Sequence, residues 1–219
     1  MTRTSLLSAT LTVLLALVMW GCSPMPKFEE LTVSETYDVG AAALDDGDLL
    51  VATEAFRRIT DDSPMHELAA DALLGLADTH RQLGDYASAE EAYRRLTIEY
   101  PRSPLVAEAE YKLGLSYYEQ SPPAALDQQM TRRAIRQLRS FTEDHPDSPF
   151  VRDAVEKMDE LRSRLAKKDY DNGLLYLTLE SPDAARVYFE AVAEDYPDTV
   201  WARRALLEVA RIHRRAGSA

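Results

Sequence analysis

Two stretches of the chain are near copies. Gly47–Thr60 reads GDLLVATEAFRRIT, and Gly84–Thr97 reads GDYASAEEAYRRLT. They align without gaps at an offset of 37 residues. Self-similarity at such a period is the mark of a repeat array. A second echo follows: Tyr100-Pro101-Arg102-Ser103-Pro104, His145-Pro146-Asp147-Ser148-Pro149 and Tyr196-Pro197-Asp198-Thr199. Each stands after one helical pattern and before another. Proline cannot continue a helix, so each forces a corner. One helix pair cannot cover its own apolar face, so neighbouring pairs must stack. The expectation is an all-α fold, an α-solenoid of helix pairs forming a curved superhelix.

The spacing within each pair resembles the tetratricopeptide (TPR) repeat. That repeat wants a small residue at the eighth position of helix A and an aromatic at the eleventh. Helix B wants Ala at position 20, a large residue at 24 and Pro near 32. Repeat two supplies Ala77, His80, Ala89, Tyr93 and Pro101; repeat three supplies Gly114, Tyr117, Ala134, Leu138 and Pro146. Repeat four supplies Gly173, Tyr176, Ala185, Phe189 and Pro197. Repeat one offers Gly40, Ala43, Ala52 and Phe56, with Pro64 displaced from its consensus place. Small residues let helices approach closely, and the large residue fills the adjoining gap.

Two departures interrupt the period. Repeat three carries extra residues between its helices, Gln120 to Gln128 (QSPPAALDQ). An added helical stretch, Phe150 to Leu165, runs into the next helix without Gly or Pro. This predicts one helix over about 150–178, roughly 43 Å long at 1.5 Å per residue. The repeats are read as 35–64, 66–104, 105–149 and 150–199, within a solenoid over 35–217 that ends in a closing helix over 200–216.

The start of the chain is read differently. Arg3 precedes an apolar run from Leu6 to Met19, about 14 residues and too short for a bilayer span. It ends at Trp20-Gly21-Cys22. A basic start and a short apolar run describe an export signal, here 1–21. The chain's single cysteine follows a small residue at the end of that run, which resembles a bacterial lipobox, with Cys22 as the lipidated first mature residue. An ordinary signal peptide with an incidental cysteine is the alternative. Residues 22–34, with prolines at 24 and 26, read as a tether.

Composition narrows the function. The 219 residues are 46% hydrophobic, enough for a core. A net charge of −12 argues against nucleic acid, whose phosphates demand surplus cations. One cysteine and four scattered histidines, His66, His80, His145 and His213, offer no zinc or nucleophile spacing. No phosphate loop, Gly-x-Ser-x-Gly elbow or His-Glu-x-x-His occurs. A non-catalytic protein with no metal and no cofactor is expected.

The order of lipobox, tether, repeats, Asp127-Gln128-Gln129 insertion and Arg164-Leu165-Ala166 helix is similar to the BamD (ComL/YfiO-type) lipoprotein family. The resemblance covers about residues 20–217. It implies a lipid-anchored scaffold on the periplasmic face of the outer membrane. The implied partners are BamA periplasmic domains, other lipoproteins of the β-barrel assembly (BAM) complex, and C-terminal segments of unfolded outer-membrane proteins. Other periplasmic TPR lipoproteins, such as pilotin-like secretin chaperones or coordinators of envelope and peptidoglycan synthesis, share the scaffold and are the alternative reading.

In TPR superhelices helix A lines the concave face. Mapping its groove positions gives Tyr37, Leu74, Tyr111 and Tyr170, then Asp78, Arg81, Leu115, Tyr118, Leu174 and Leu177. Tyrosine at three of four equivalent positions suits an aromatic-rich peptide, because rings offer contact area with few torsions to freeze. Ordinary packing between repeats is the alternative for these rings, and is the expectation for Tyr117 and Tyr176. His80 is expected to be packed, and Trp201 to staple the closing helix. Arg203 and Arg204 fall in the first turn of that helix, where positive charge is unfavourable. With Arg186 they are the expected docking residues for BamA.

Overall fold

The computed structural model describes residues 26–217. Among these are nine α-helices, one short 3-10 turn at Phe28–Glu30, and no strand. The helices are α1 (Val33–Asp46), α2 (Leu49–Asp62), α3 (Ala69–Gln82), α4 (Tyr86–Glu99), α5 (Val106–Glu119), α6 (Gln129–Asp144), α7 (Val151–Thr178), α8 (Pro182–Asp195) and α9 (Val200–Ala216). The fold is an all-α helical repeat. Consecutive helices pack on one another throughout, and the odd-numbered A helices also touch across repeats.

The Gly-Asp pair that opens each near copy has a local cause. Gly47 and Gly84 hold φ of 77° and 74°, the left-handed conformation that ends a helix, and neither could carry a Cβ without strain. The following Asp48 and Asp85 then cap the next helix through Val51 and Ser88 N–H. At the third such turn Glu180 takes φ 55° without being glycine. At the other end of each pair the residue before proline leaves the helical region, as proline's ring requires. Tyr100, His145 and Tyr196 have ψ of 54°, 58° and 51°. Ser63 has φ −138° and ψ 49°. Pro64 is therefore not displaced. It forms the same corner as Pro101, and the offset of 37 residues already places it there.

Packing follows the repeat positions. Phe56, Tyr93, Leu138 and Phe189 are all buried to 1% exposure or less. A Cβ on Gly114 would stand 2.9 Å from Leu138 Cγ, with Cδ2 nearer still, and one on Gly173 would stand 2.6 Å from Phe189. The core falls into two clusters. The larger runs from Ala43 to Leu165, and the smaller from Ala166 through Phe189 to Ile212. They meet along α7, whose 28 residues span about 42 Å.

The expected tether is shorter than 22–34 where the structure describes it. Phe28 is 5% exposed, Arg58 lies over its ring at 5.9 Å, and Thr32 with Glu35 forms a capping box that starts α1. Burial of one aromatic side chain and a satisfied cap fix this segment on α2. The signal 1–21, Cys22 and residues 23–25 lie outside the described residues.

Candidate functional site

The A-helix face is laced by polar bridges that step from one repeat to the next. Asp78 on α3 accepts from Lys112 on α5 at 2.6 Å and from the buried Tyr93 hydroxyl at 2.6 Å. Arg81 on α3 donates to Glu119 on α5 at 2.6 Å. Tyr111 and Tyr118 on α5 donate to Asp153 and Glu160 on α7. Lys157 lies 4.8 Å over the Tyr118 ring. Residues seven apart on each helix share a face, so these contacts form a ladder.

The bridges tune the groups that make them. Burial pushes the Tyr93 and Tyr111 phenols up, and their carboxylate acceptors push them further, so both keep the protons they donate. Tyr118 is raised chiefly by its bond to Glu160. Burial disfavours the Lys112 ammonium, but Asp78 and Glu108 outweigh it and raise its pKa.

This arrangement corrects the expected row of free rings. Tyr111 is 7% exposed, stacked on Phe150 at 4.7 Å, and belongs to the core. Leu74 is buried as well, so neither lines an open groove. Helix A in these repeats turns its fifth position inward because the following repeat covers it. Tyr37 is half-buried with its ring edge against Phe56 at 5.8 Å. Tyr170 is half-buried between Phe189 and Trp201, both at 5.4 Å. Asp78, Arg81, Leu115 and Tyr118 are also half-buried and engaged with α4, α5, α7 or the core. Leu174 is 39% exposed and remains open. Tyr117 is fully buried, and Tyr176 stacks on Tyr188 at 5.2 Å.

The open trough lies further along α7. A cavity of about 490 Å³ is bounded by Pro123 and Ala125 of the repeat-three insertion, by Glu160, Arg164 and Lys167 of α7, and by Trp201 of α9. Arg164 donates to the Ser121 carbonyl at 2.8 Å, and Lys168 to the Leu126 carbonyl at 2.8 Å, so α7 holds the insertion in place. Lys167 and Arg204 approach the Trp201 ring at 5.2 and 4.7 Å. Trp201 thus staples α9 to α7 through Tyr170. The arrangement offers an apolar wall, an aromatic face and both signs of charge, suited to an extended peptide. Sequence reasoning missed Asp153, Glu160 and the insertion as parts of this face. The seven-residue spacing of Tyr111 and Tyr118, matched by Asp153 and Glu160, was the available signal.

The three docking arginines do not form one cluster. Arg186 donates to Glu190 at 2.9 Å on α8. Arg203 and Arg204 are exposed in the first turn of α9, on the other helix of the α8–α9 hairpin. The cation over Trp201 gives Arg204 a local role at an unfavourable helix position.

A family model described as "YfiO: Outer membrane lipoprotein" matches residues 29–219. The chain belongs to this family. Among curated proteins it is 29% identical over 202 residues to the outer membrane protein assembly factor BamD of Caulobacter vibrioides, covering 90% of this chain and 66% of that one. It is 26% identical over 209 residues to the BamD of Vibrio cholerae, covering 90% and 87%. The chain thus spans about two thirds of the Caulobacter relative. Among solved structures it is similar to a tetratricopeptide repeat protein from Parabacteroides merdae, with TM-score 0.43, 17% identity, and 84% of this chain and 60% of that one covered. It is also similar to MamA, with TM-score 0.40, 20% identity, and 84% and 82% covered. No helix among the described residues is long and apolar enough to cross a membrane.

Proposed function

We propose that this chain is an outer membrane protein assembly factor. It acts as a non-catalytic scaffold, anchored through a lipid on Cys22, that docks on BamA and holds C-terminal segments of unfolded outer-membrane proteins. The observation that carries this reading is the family match over residues 29–219, together with the two BamD relatives. The geometry supports a binding role. Rigid ladders across the A helices keep repeats in register, while the trough beside Trp201 stays open. A peptide there meets preorganised walls, and little ordering is lost on binding.

In this reading the α8–α9 end, with Arg186, Arg203 and Arg204, faces BamA. Exposed Leu206 and Leu207 on α9 add apolar area beside those charges. Affinity purification of the full chain from detergent-solubilised envelopes is the test. Recovery of BamA, reduced by the double substitution Arg203→Glu and Arg204→Glu, is expected. Recovery of a secretin or a peptidoglycan synthase in its place overturns the reading. A mass measurement of the mature N-terminus checks acylation of Cys22.

A further inference from the structure

Behind the trough, on the other side of α7, lies a second cleft of different character. It encloses about 250 Å³, and its rim carries Arg132, Arg136 and Arg139 of α6 and Arg162 of α7. Its floor is Ile135, Leu165 and the Tyr196 ring. Arg132, Arg136 and Arg139 recur at helical spacing, so they stand on one exposed stripe of α6. They span seven residues, about 10 Å along the axis.

The pairing within this cleft is uneven. Arg162 is committed: it donates to Asp198 at 2.8 Å and to the Asp195 carbonyl at 3.2 Å. Arg132 lies near enough to Asp169 for their charges to interact, but forms no hydrogen bond or ion pair with it. The Arg136 and Arg139 guanidiniums form no ion pair or hydrogen bond among the described residues. The chain carries 37 carboxylates against 25 Lys and Arg, so acidic residues are in excess. Guanidiniums side by side repel one another, and at Arg136 and Arg139 no ion pair offsets that repulsion.

We propose that this cleft is a recognition site for an acidic segment of a partner protein, with side-chain carboxylates on Arg136, Arg139 and Arg132 and an apolar residue on the Tyr196–Leu165 floor. The chemistry points to a peptide for two reasons. Arg132, Arg136 and Arg139 are spread over about 10 Å of α6, a length that takes carboxylates spaced along an extended chain, about 6.6 Å for alternate residues. The floor is aromatic and aliphatic, which a small inorganic anion could not use. Guanidinium forks bind carboxylates bidentately, which gives the site geometric selectivity. The site is separate from the trough and from the α9 arginines, and the inference stands whether or not the assembly role holds.

The test uses the chain from Ser23 onward, which keeps every described residue, titrated calorimetrically with the capped peptide acetyl-Leu-Asp-Leu-Glu-Leu-Asp-amide. Binding is expected, weakening with added salt as exposed charges are screened. The double substitution Arg136→Gln and Arg139→Gln should lower affinity about tenfold or more, which is the loss of one charged pair or more. Arg136→Lys with Arg139→Lys should retain part of it. Removing two arginines elsewhere, Arg102→Gln with Arg152→Gln, should change it less than twofold if net charge is not the cause. The idea is overturned if the amide peptide with Asn and Gln binds equally, or if the Arg136 and Arg139 variant binds like the parent. It is equally overturned if inorganic phosphate competes as well as the peptide does. Binding only to phosphatidylglycerol vesicles would assign the stripe to a lipid surface and also reject it.

Discussion

Replacing Asp78 by alanine separates two roles for the A-helix face, framework or peptide contact. The carboxylate is 15% exposed and accepts from both Tyr93 and Lys112 at 2.6 Å. Tyr93 is fully buried, so its hydroxyl proton would lose its acceptor in a place water does not reach. A hydrogen bond to a charged group contributes about 1.5–3 kcal/mol net, and a stranded donor costs about as much. Lys112 keeps Glu108 at 2.7 Å, so its loss is smaller, about 0.5–1 kcal/mol. The sum is about 2–4 kcal/mol, or a fall in Tm of roughly 5–15 °C for a folded unit of this size. Urea unfolding should show a lower midpoint with an unchanged slope. Tyr93→Phe alone should cost about 1–2 kcal/mol, yet almost nothing in the Asp78→Ala background, because the bond is already gone. A loss under about 0.5 kcal/mol, or strict additivity of the two substitutions, refutes the framework role.

Three further outcomes follow from other parts of the fold. Gly114→Ala should destabilise by about 1–3 kcal/mol in urea unfolding, because the fully buried Leu138 must move; helix propensity returns at most about 1 kcal/mol. Glu180→Gly should stabilise by up to about 1 kcal/mol, since Glu180 holds φ 55° that glycine adopts freely; an unchanged midpoint rejects this. Hydrogen bonds from Arg162 hold the Asp198 carboxyl below its usual range. Its contribution is therefore present above the ordinary carboxylate pKa and is lost as pH falls through the lowered value. Trp201 fluorescence, the only tryptophan signal in a chain starting at Cys22, should report an acid transition there that Asp198→Asn removes. The same transition in the variant would place its origin elsewhere.

Much of the fold was legible because its signals are local. Gly47-Asp48 and Gly84-Asp85 carry both a helix stop and the next helix start, and both steps are one-residue chemistry. The large residue at the helix-B position reads equally well, since Phe56, Leu138 and Phe189 fill the space left by Gly40, Gly114 and Gly173. The candidate site was legible only in outline. A periodic table of groove positions treats every A helix alike, but Tyr111 is covered because Phe150 stacks on it and Tyr37 is not covered to the same degree. That difference depends on a residue 39 positions away. Tether length was misjudged for a similar reason: Phe28 finds its cover on α2, in the ring contact with Arg58.

The two departures from the repeat are one structural event. Lengthening the helix after repeat three separates α6 from α8 along α7, and the core divides at Leu165 and Ala166. A division of that kind leaves a seam on each side of α7. On one side the insertion Gln120–Gln128 covers part of the seam, tied down by Arg164 and Lys168, and leaves the cavity beside Trp201. On the other side the Tyr196 corner reaches across, held by Arg162, and leaves the arginine cleft. Shortening α7 by two turns, for instance by deleting Val155–Leu161, would close both openings and strand the insertion without its anchors. A loss of peptide binding without loss of helicity is the expected result for such a deletion; retention of binding would move the binding surface off this seam.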